Sequence, residues 1–100
     1  MNTKAVRIAR LYLTEADHQL NDIIQYLHDS EKISGATAYR GIEGYGASGK
    51  IHDSSLLDLS FNLPITVEFF DESSNVLTVI DELKQQFKLS QIISWLADQH

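Results

Sequence analysis

The stretch Ala36-Thr-Ala-Tyr-Arg-Gly-Ile-Glu-Gly-Tyr-Gly-Ala-Ser-Gly-Lys-Ile-His52 runs from a strand-like segment into a glycine-rich loop. Four of the five glycines of the chain lie between Gly41 and Gly49, and Lys50 follows them directly. Glycine lets the backbone take positive φ angles and approach a ligand closely. Because each glycine also costs conformational entropy on folding, this density indicates a specific role for the loop.

Two strands and one helix are predicted before the loop. Residues 6–13 alternate between apolar and polar positions, which predicts a first strand. Thr14 and Asp17 form a capping-type pair that predicts a helix immediately after it. Residues 36–42 are predicted as the second strand. The helix has one apolar stripe at i, i+3, i+4 and i+7, made of Leu20, Ile23, Ile24 and Leu27.

A similar unit is predicted after the loop. Pro64, the only proline, marks the start of a third strand in which apolar and polar residues alternate. Residues 71–75 carry the serines and acids that favour a helix start. Residues 89–96 are predicted as the last strand, with a helix over residues 90–100 as the alternative. For residues 51–62 a short helix, an irregular loop and an extra strand all stay open.

The order β-α-β-loop-β-α-β predicts an α+β ferredoxin-like (βαββαβ) sandwich. Its four-stranded antiparallel sheet would carry both helices on one face. One domain is expected over residues 1–100, with a long glycine-rich loop at about 43–62. The other sheet face would mix aromatic and charged side chains, as subunit interfaces do. That face is expected to carry Arg10, Tyr12, Thr37, Tyr39, Thr66, Glu68, Phe70 and Trp95.

Composition excludes several classes of protein. A formal net charge of −6 argues against nonspecific nucleic-acid binding, which needs clustered Lys and Arg. The absence of cysteine excludes disulfides and thiol chemistry, and the sequence has no apolar run of membrane-spanning length and no signal-peptide pattern. A cytoplasmic protein is therefore expected. The four histidines are not spaced as metal ligands usually are, so no metal site is expected. The sequence shows no pair of nucleophile and general base, so an enzyme is not expected either.

The loop matches two nucleotide-binding patterns incompletely. Gly44 to Gly49 fits G-x-G-x-x-G, and Gly44 to Lys50 fits G-x-x-x-x-G-K. The second pattern needs Ser or Thr after the lysine to hold magnesium, whereas Ile51 stands there. The chain is also too short for either nucleotide fold. What remains is an anion nest, in which free backbone N–H groups lie beside Lys50, or else a loop that packs on a neighbouring subunit.

The candidate ligand-binding residues follow from the nest interpretation. Arg40 is either a clamp for a phosphate or carboxylate, or half of an ion pair across a subunit boundary with Glu43 or Glu68. The whole candidate set is Arg40, Gly41, Glu43, Gly44, Gly46, Ser48, Gly49, Lys50 and His52.

Residues 40–52, then Leu57-Asp-Leu-Ser60, then Leu63-Pro-Ile-Thr-Val-Glu68, together resemble the uncharacterised bacterial and archaeal family known as domain of unknown function 190. Leu11-Tyr-Leu-Thr-Glu15 also fits the first strand of that family. Members often carry a glycine-containing insert after this strand, whereas here residues 17–20 lead directly into the helix. The family is similar to the PII signal-transduction proteins.

That resemblance implies a PII-like homotrimer that binds adenine nucleotides in clefts between subunits and contacts protein partners through the long loop. The leading hypothesis is therefore a PII-like regulatory protein in signal transduction that senses a small anionic metabolite, with an adenine nucleotide as the candidate ligand. The alternative is a structural or interaction subunit that binds no small molecule. The resemblance supplies no catalytic residues and no established ligand.

Overall fold

The computed structural model describes residues 2–45, 51–53, 63–89 and 91–100. In chain order the elements are β1 (Lys4–Thr14), a 3-10 turn (Glu15–Asp17), α1 (Leu20–Asp29), β2 (Ala36–Arg40), β3 (Glu43–Gly44), β4 (His52–Asp53), β5 (Pro64–Asp71), α2 (Ser73–Gln86) and β6 (Gln91–Gln99). Among the described residues, neither α1 nor α2 combines the length and the apolar character that crossing a membrane requires.

The main sheet has four strands in the order β2-β5-β1-β6, and every neighbouring pair is antiparallel. Each half of the chain has a helix between two strands of this sheet: α1 lies between β1 and β2, and α2 lies between β5 and β6. This is the predicted ferredoxin-like sandwich, and that prediction is confirmed. The core lies on one face only. It unites alternate residues of β1 and β5 with the apolar stripes of both helices: Ala9, Leu11, Leu13, Ile23, Leu27, Ile65, Val67, Phe69, Val76, Val79 and Leu83.

The opposite face, called here the open face, carries the residues that the alternation predicted. Arg10 lies opposite Glu68, Tyr12 opposite Thr66, and Ile8 opposite both Phe70 and Trp95. Directly opposed residues in a sheet project to the same side. Thr37 and Tyr39 of β2 join the same set, because they pair with Glu68 and Thr66. Large apolar side chains, Tyr39, Phe70, Ile93 and Trp95, are exposed on this face.

Two local predictions before the loop need correction. The Thr14–Asp17 signal does not begin α1. The Asp17 carboxylate accepts from the Thr14 backbone N–H at 3.0 Å and closes the 3-10 turn, after which His18 takes a left-handed φ of 54°. β2 ends at Arg40, two residues earlier than predicted, because the chain turns at Gly41 into β3.

The end of the chain is a strand, and the alternative helix over residues 90–100 is wrong. β6 pairs with β1 from Tyr12↔Gln91 to Lys4↔Gln99. β1 is long and central, so without β6 the backbone groups along one of its edges would lack partners within the sheet. The strand also runs three residues further than the predicted end at residue 96.

A polar contact joins the two helices on their outer side. Tyr26 Oη donates to Glu82 Oε1 at 2.7 Å, and Lys32 Nζ donates to Glu82 Oε2 at 3.3 Å. The Tyr26 and Phe87 rings pack edge to face with centroids 6.2 Å apart. The hydrogen bond from Tyr26, more than the one from Lys32, lowers the pKa of Glu82, and the same bond raises the pKa of Tyr26.

This contact predicts a pH-dependent stability. The folded pKa of Glu82 lies below its ordinary value of 4.5. Its contribution is therefore fully present above the unfolded pKa and is lost as the pH falls through the folded pKa. Tyr26→Phe should lower the free energy of unfolding at neutral pH, and the difference from the parent should shrink between about pH 5 and about pH 3.

Urea unfolding of the parent and the variant across that range measures this difference. Tyr39→Phe, which removes a hydroxyl from an exposed tyrosine on β2, serves as the matched control. A difference between Tyr26→Phe and the parent that stays constant with pH would show that Glu82 is not the group responsible.

Candidate functional site

The carboxyl ends of β1 and β2 meet at the edge of the sheet from which the long loop departs. Ile65 of β5 lies between them, opposite Leu13 on one side and Arg40 on the other. Since opposed residues share a face, Arg40 projects to the helix-covered side, together with the buried Leu13 and Ile65. Glu15, two residues beyond Leu13, comes within reach of Arg40.

Arg40 and Glu15 form an ion pair at this edge. Arg40 Nε donates to Glu15 Oε1, and Arg40 Nη2 contacts the same oxygen. The Arg40 side chain is 58% exposed and the Glu15 side chain only 22%. A guanidinium has five N–H donors in a planar fork, and among the described residues a single carboxylate oxygen engages it. Because more than half of the Arg40 side chain is exposed, its fork is accessible to an anion.

A cleft of about 240 Å³ surrounds this pair. Its lining is mostly polar, with two apolar side chains from α1 and β5. The cleft thus offers a cation, a carboxylate, a hydroxyl, an imidazole and an amide within one small volume. The lining residues are Thr14, Glu15, His18, Leu20, Asn21, Arg40 and Ile65.

The wall of the cleft formed by the 3-10 turn is held by the backbone. Glu15 N–H donates to the Leu63 carbonyl at 3.1 Å, which ties the turn to the residue before β5. The start of α1 is fixed to the end of α2 by two reciprocal bonds between Gln19 and Lys88, both at 3.1 Å. These contacts fix the backbone of the turn and the start of α1, so Glu15, His18 and Asn21 lie on an ordered wall of the cleft.

The base of the glycine loop follows the cleft residue Arg40 along the chain and packs against Pro64. Gly41 N–H donates to the Pro64 carbonyl at 2.7 Å. A Cβ on Gly41 would lie 2.7 Å from Pro64 Cγ, and one on Gly44 would lie 3.1 Å from the same atom. Close approach to the proline ring therefore excludes a larger residue at Gly41 unless the loop base shifts, and it makes the space at Gly44 tight. Beyond them, Glu43 pairs with Asp53 and Gly44 with His52 in the β3–β4 ladder.

The predicted site residues divide into three groups. Arg40 lines the cleft, and Gly41, Glu43, Gly44 and the backbone of His52 form the loop base beside it. Gly46, Ser48, Gly49 and Lys50 lie outside the described residues, so their place in an anion nest stays a prediction. Residues 51–53 resolve part of one open question, because His52–Asp53 is a short strand.

Within the chain, Arg40 pairs with Glu15, a partner that the sequence did not predict. Glu68 of the same chain lies on the open face, where it accepts from Arg10 Nε at 2.8 Å, whereas Arg40 projects to the helix side. An ion pair of Arg40 with Glu43 or Glu68 across a subunit boundary stays a prediction.

The sequence patterns did not reveal the cleft residues that come from the turn and from α1. One available signal was topological. In a βαββαβ sandwich the first two strands run parallel, so Thr14 and Glu15 must reach the same sheet edge as Arg40. Local spacing along the chain does not show this, since 25 residues separate Glu15 from Arg40.

A second cluster of charge and aromatic surface lies on the open face. The Arg10 guanidinium stacks over the Trp95 ring at 5.1 Å from its centroid while it is paired with Glu68. The hydrogen bond to Glu68 is the main cause that raises the pKa of Arg10. An arginine satisfied on two sides contributes a flat, polarised surface beside the exposed apolar residues of this face. Such a mixture is suited to contact with protein.

Potential metal ligands are scattered over the described part of the chain. Within residues 2–45, 51–53, 63–89 and 91–100, no three histidine, aspartate or glutamate side chains converge in a way that could hold a metal ion.

Comparison with known proteins gives a family and a fold. The model of the family DUF190 ("Uncharacterized ACR, COG1993") matches residues 6–98. The UPF0166 protein of Methanocaldococcus jannaschii is 35% identical over 92 residues, covering 87% of this chain and 83% of that protein. A UPF0166 protein of Aquifex aeolicus is 29% identical over 82 residues, covering 78% of each chain.

Among solved structures, the chain resembles CPII of Thiomonas intermedia K12, a nitrogen regulatory PII-like protein bound to ADP, AMP and bicarbonate. The TM-score is 0.66 at 14% identity, covering 98% of this chain and 89% of that one. It also resembles CutA1 of Oryza sativa, with a TM-score of 0.64 at 9% identity, covering 98% and 83%. These similarities show a PII-like, ferredoxin-like fold.

The contact between Gly41 and Pro64 generates a testable prediction. Gly41→Ala places a methyl group within 2.7 Å of Pro64 Cγ, so the loop base must shift, and overpacking of this kind costs about 1–3 kcal/mol of unfolding free energy. Gly35→Ala is the matched control, because a Cβ on Gly35 would have no neighbouring atom within 4 Å. Chemical denaturation compares the two variants, and equal stability of both would contradict the proposed packing.

Proposed function

The chain belongs to the DUF190 family, and from that premise we propose that it is a PII-like regulatory protein that binds a small anionic metabolite. An adenine nucleotide is the candidate ligand. The observation that carries the proposal is the cleft at the root of the long loop, where the exposed guanidinium of Arg40 lies beside Thr14, His18 and Asn21. A cation together with polar donors and acceptors is what binding a phosphorylated ligand requires.

Two further points support a nucleotide. The structurally similar CPII binds ADP, AMP and bicarbonate, which are all anions. The protein as a whole is acidic, so an anion needs local positive charge in order to bind at all. Arg40 supplies that charge within the cleft, and Lys50, which follows the glycines, is proposed to add to it. We propose binding and not catalysis, because a cation with polar neighbours is sufficient for binding.

Signalling is proposed to pass through the long loop. Arg40 is the last residue of β2. Gly41 follows it directly and fixes the base of the loop, because its N–H donates to the Pro64 carbonyl. An anion that repositions the Arg40 side chain therefore acts next to Gly41, at the base of the loop. Residues 43–62 would then present a changed surface to a protein partner, in the cytoplasm.

A homotrimer is proposed to form through the open face. All five residues of the edge strand β2 are exposed, and large apolar side chains are exposed on three strands of this face. A cluster of this kind on a 100-residue chain is more apolar than solvation alone favours. In a trimer this surface would be buried, and neighbouring subunits would complete the clefts at the loop bases.

The second candidate is an interaction subunit that binds no small molecule. It is favoured by one observation, namely that Glu15 already neutralises Arg40 within the same chain. In that case the ion pair would serve only to hold the loop base, and the open face would be the sole functional surface.

The trimer can be tested with a charge placed on the open face. Ile93 on β6 and Leu77 on α2 are each 47% exposed, so replacing either with glutamate should leave the protomer folded. Ile93→Glu should convert the assembly to monomers, because a desolvated charge is costly in an interface core, whereas Leu77→Glu should leave it intact. Light scattering after size exclusion measures both masses. A monomeric parent protein, or a trimeric Ile93→Glu variant, would contradict this interface.

The ligand can be tested by calorimetry with ADP. Arg40→Ala and Lys50→Ala should each weaken binding by roughly tenfold to more than a hundredfold, the range of one charge-assisted contact of about 1.5–3 kcal/mol. Lys4→Ala is the control, since Lys4 lies at the far end of β1, roughly 30 Å from Thr14 at the usual strand rise.

Binding of ADP to the parent should also weaken as salt concentration rises. Unchanged affinity in both cleft variants would refute this site, and a parent that binds no nucleotide would favour the interaction subunit.

A further inference from the structure

We propose that Glu15 competes with anionic ligands for the anion site: its carboxylate pairs with the Arg40 guanidinium, and an incoming anion must displace it. The inference rests on the proposed function, because it concerns the same cleft. It adds a residue that sets how strongly, and for which ligands, the cleft responds.

Glu15 is the fixed partner of the pair. Its backbone N–H is bound to the Leu63 carbonyl at 3.1 Å, and the turn that it begins is closed by the bond between Thr14 N–H and Asp17. Its side chain is mostly covered. The carboxylate is therefore held at one place in the cleft, where it meets Arg40 without any rearrangement of the turn.

Arg40 is the partner that can move. It ends an edge strand whose five residues are all exposed, and its own side chain is more than half exposed on a long flexible stem. A phosphate or carboxylate presents the same acceptor geometry to a guanidinium as Glu15 does. The two anions therefore compete for one fork of donors, and Arg40 changes partner while Glu15 stays in place.

The competition multiplies the intrinsic affinity for every anion by the fraction of Arg40 that is free of Glu15, so the apparent affinity is lower. It also favours ligands that carry several negative charges, because these draw the guanidinium away from a single carboxylate more strongly. Since Gly41 follows Arg40 directly, exchange of the Arg40 partner is coupled to the base of the loop. The pair thus acts as an autoinhibitory contact that a polyanionic ligand opens.

The test is calorimetric titration with ADP of the parent and of Glu15→Gln, which keeps the shape of the side chain and removes its charge. The variant should bind ADP about two- to fivefold more tightly, the effect of releasing one partly exposed ion pair. Asp22→Asn is the matched control, because it removes an equal charge from the first turn of α1, next to the cleft residue Asn21. Its affinity for ADP should change by less than about twofold.

Two further arms separate displacement from a general loss of negative charge. In an Arg40→Ala background, Glu15→Gln should no longer improve ADP binding, since its partner is absent. Adenosine, which carries the same base and ribose but no phosphate, should bind the parent and Glu15→Gln equally. Unchanged or weaker ADP binding by Glu15→Gln would overturn the proposal, because Glu15 would then position Arg40 for the ligand instead of competing with it.

Inorganic pyrophosphate distinguishes failure of this proposal from failure of the nucleotide assignment. If ADP binds neither protein but pyrophosphate binds Glu15→Gln more tightly than the parent, the competitor role stands and the nucleotide is the wrong ligand. If ADP binds the parent and Glu15→Gln with equal affinity, the nucleotide stands and the competitor role is refuted. Binding of neither probe to either protein would refute both.

Discussion

The antiparallel pairing of β1 on both of its edges is the constraint on which the rest of the structure depends. β1 bonds to β5 along eight positions and to β6 along nine. Ala9, Leu11 and Leu13, from one set of alternate residues, are buried under the two helices, while the other set faces away from them. A shift of one residue would exchange these two sets, so the burial of small and branched apolar side chains under the helices fixes the register. That register in turn decides what each face of the sheet can do.

One consequence is a separation of roles between the two sides of the sheet. Arg10 and Arg40 belong to neighbouring parts of the same sheet, yet each meets a different carboxylate on a different face. Arg10 is satisfied by Glu68 and by the Trp95 ring, which makes it part of a broad contact surface. Arg40 lies at the strand end with a single carboxylate oxygen and a cleft beside it. The first arrangement suits a partner of the same chain, and the second suits a small anion.

The base of the long loop is the point at which these roles join. Gly41 and Gly44 lie against the ring of Pro64, and the carbonyl of the same proline accepts the N–H of Gly41. The proline thus begins β5 and at the same time anchors the loop that leaves β2. Any side chain larger than hydrogen at Gly41 would force these segments apart. The ion pair of Arg40 with Glu15 therefore lies directly beside a closely packed loop base.

The sequence by itself determined the fold class, since the period of two in the strands and the apolar stripes of both helices are local properties of the chain. It also determined the composition of the open face, because alternation assigns Arg10, Tyr12 and Glu68 to one side. It pointed to Arg40 and to the loop glycines as candidate site residues. It predicted a strand at the end of the chain but left a helix open, because Ile92, Ile93 and Leu96 also fit a helical stripe, and pairing with β1 settled that choice. Only the tertiary structure paired Arg40 with Glu15, because that contact depends on two parallel strands ending at the same edge on either side of Ile65. The reason is physical: periodicity reports which face of an element is buried, whereas a site is made by residues that are distant along the chain and are brought together only by the register of the sheet.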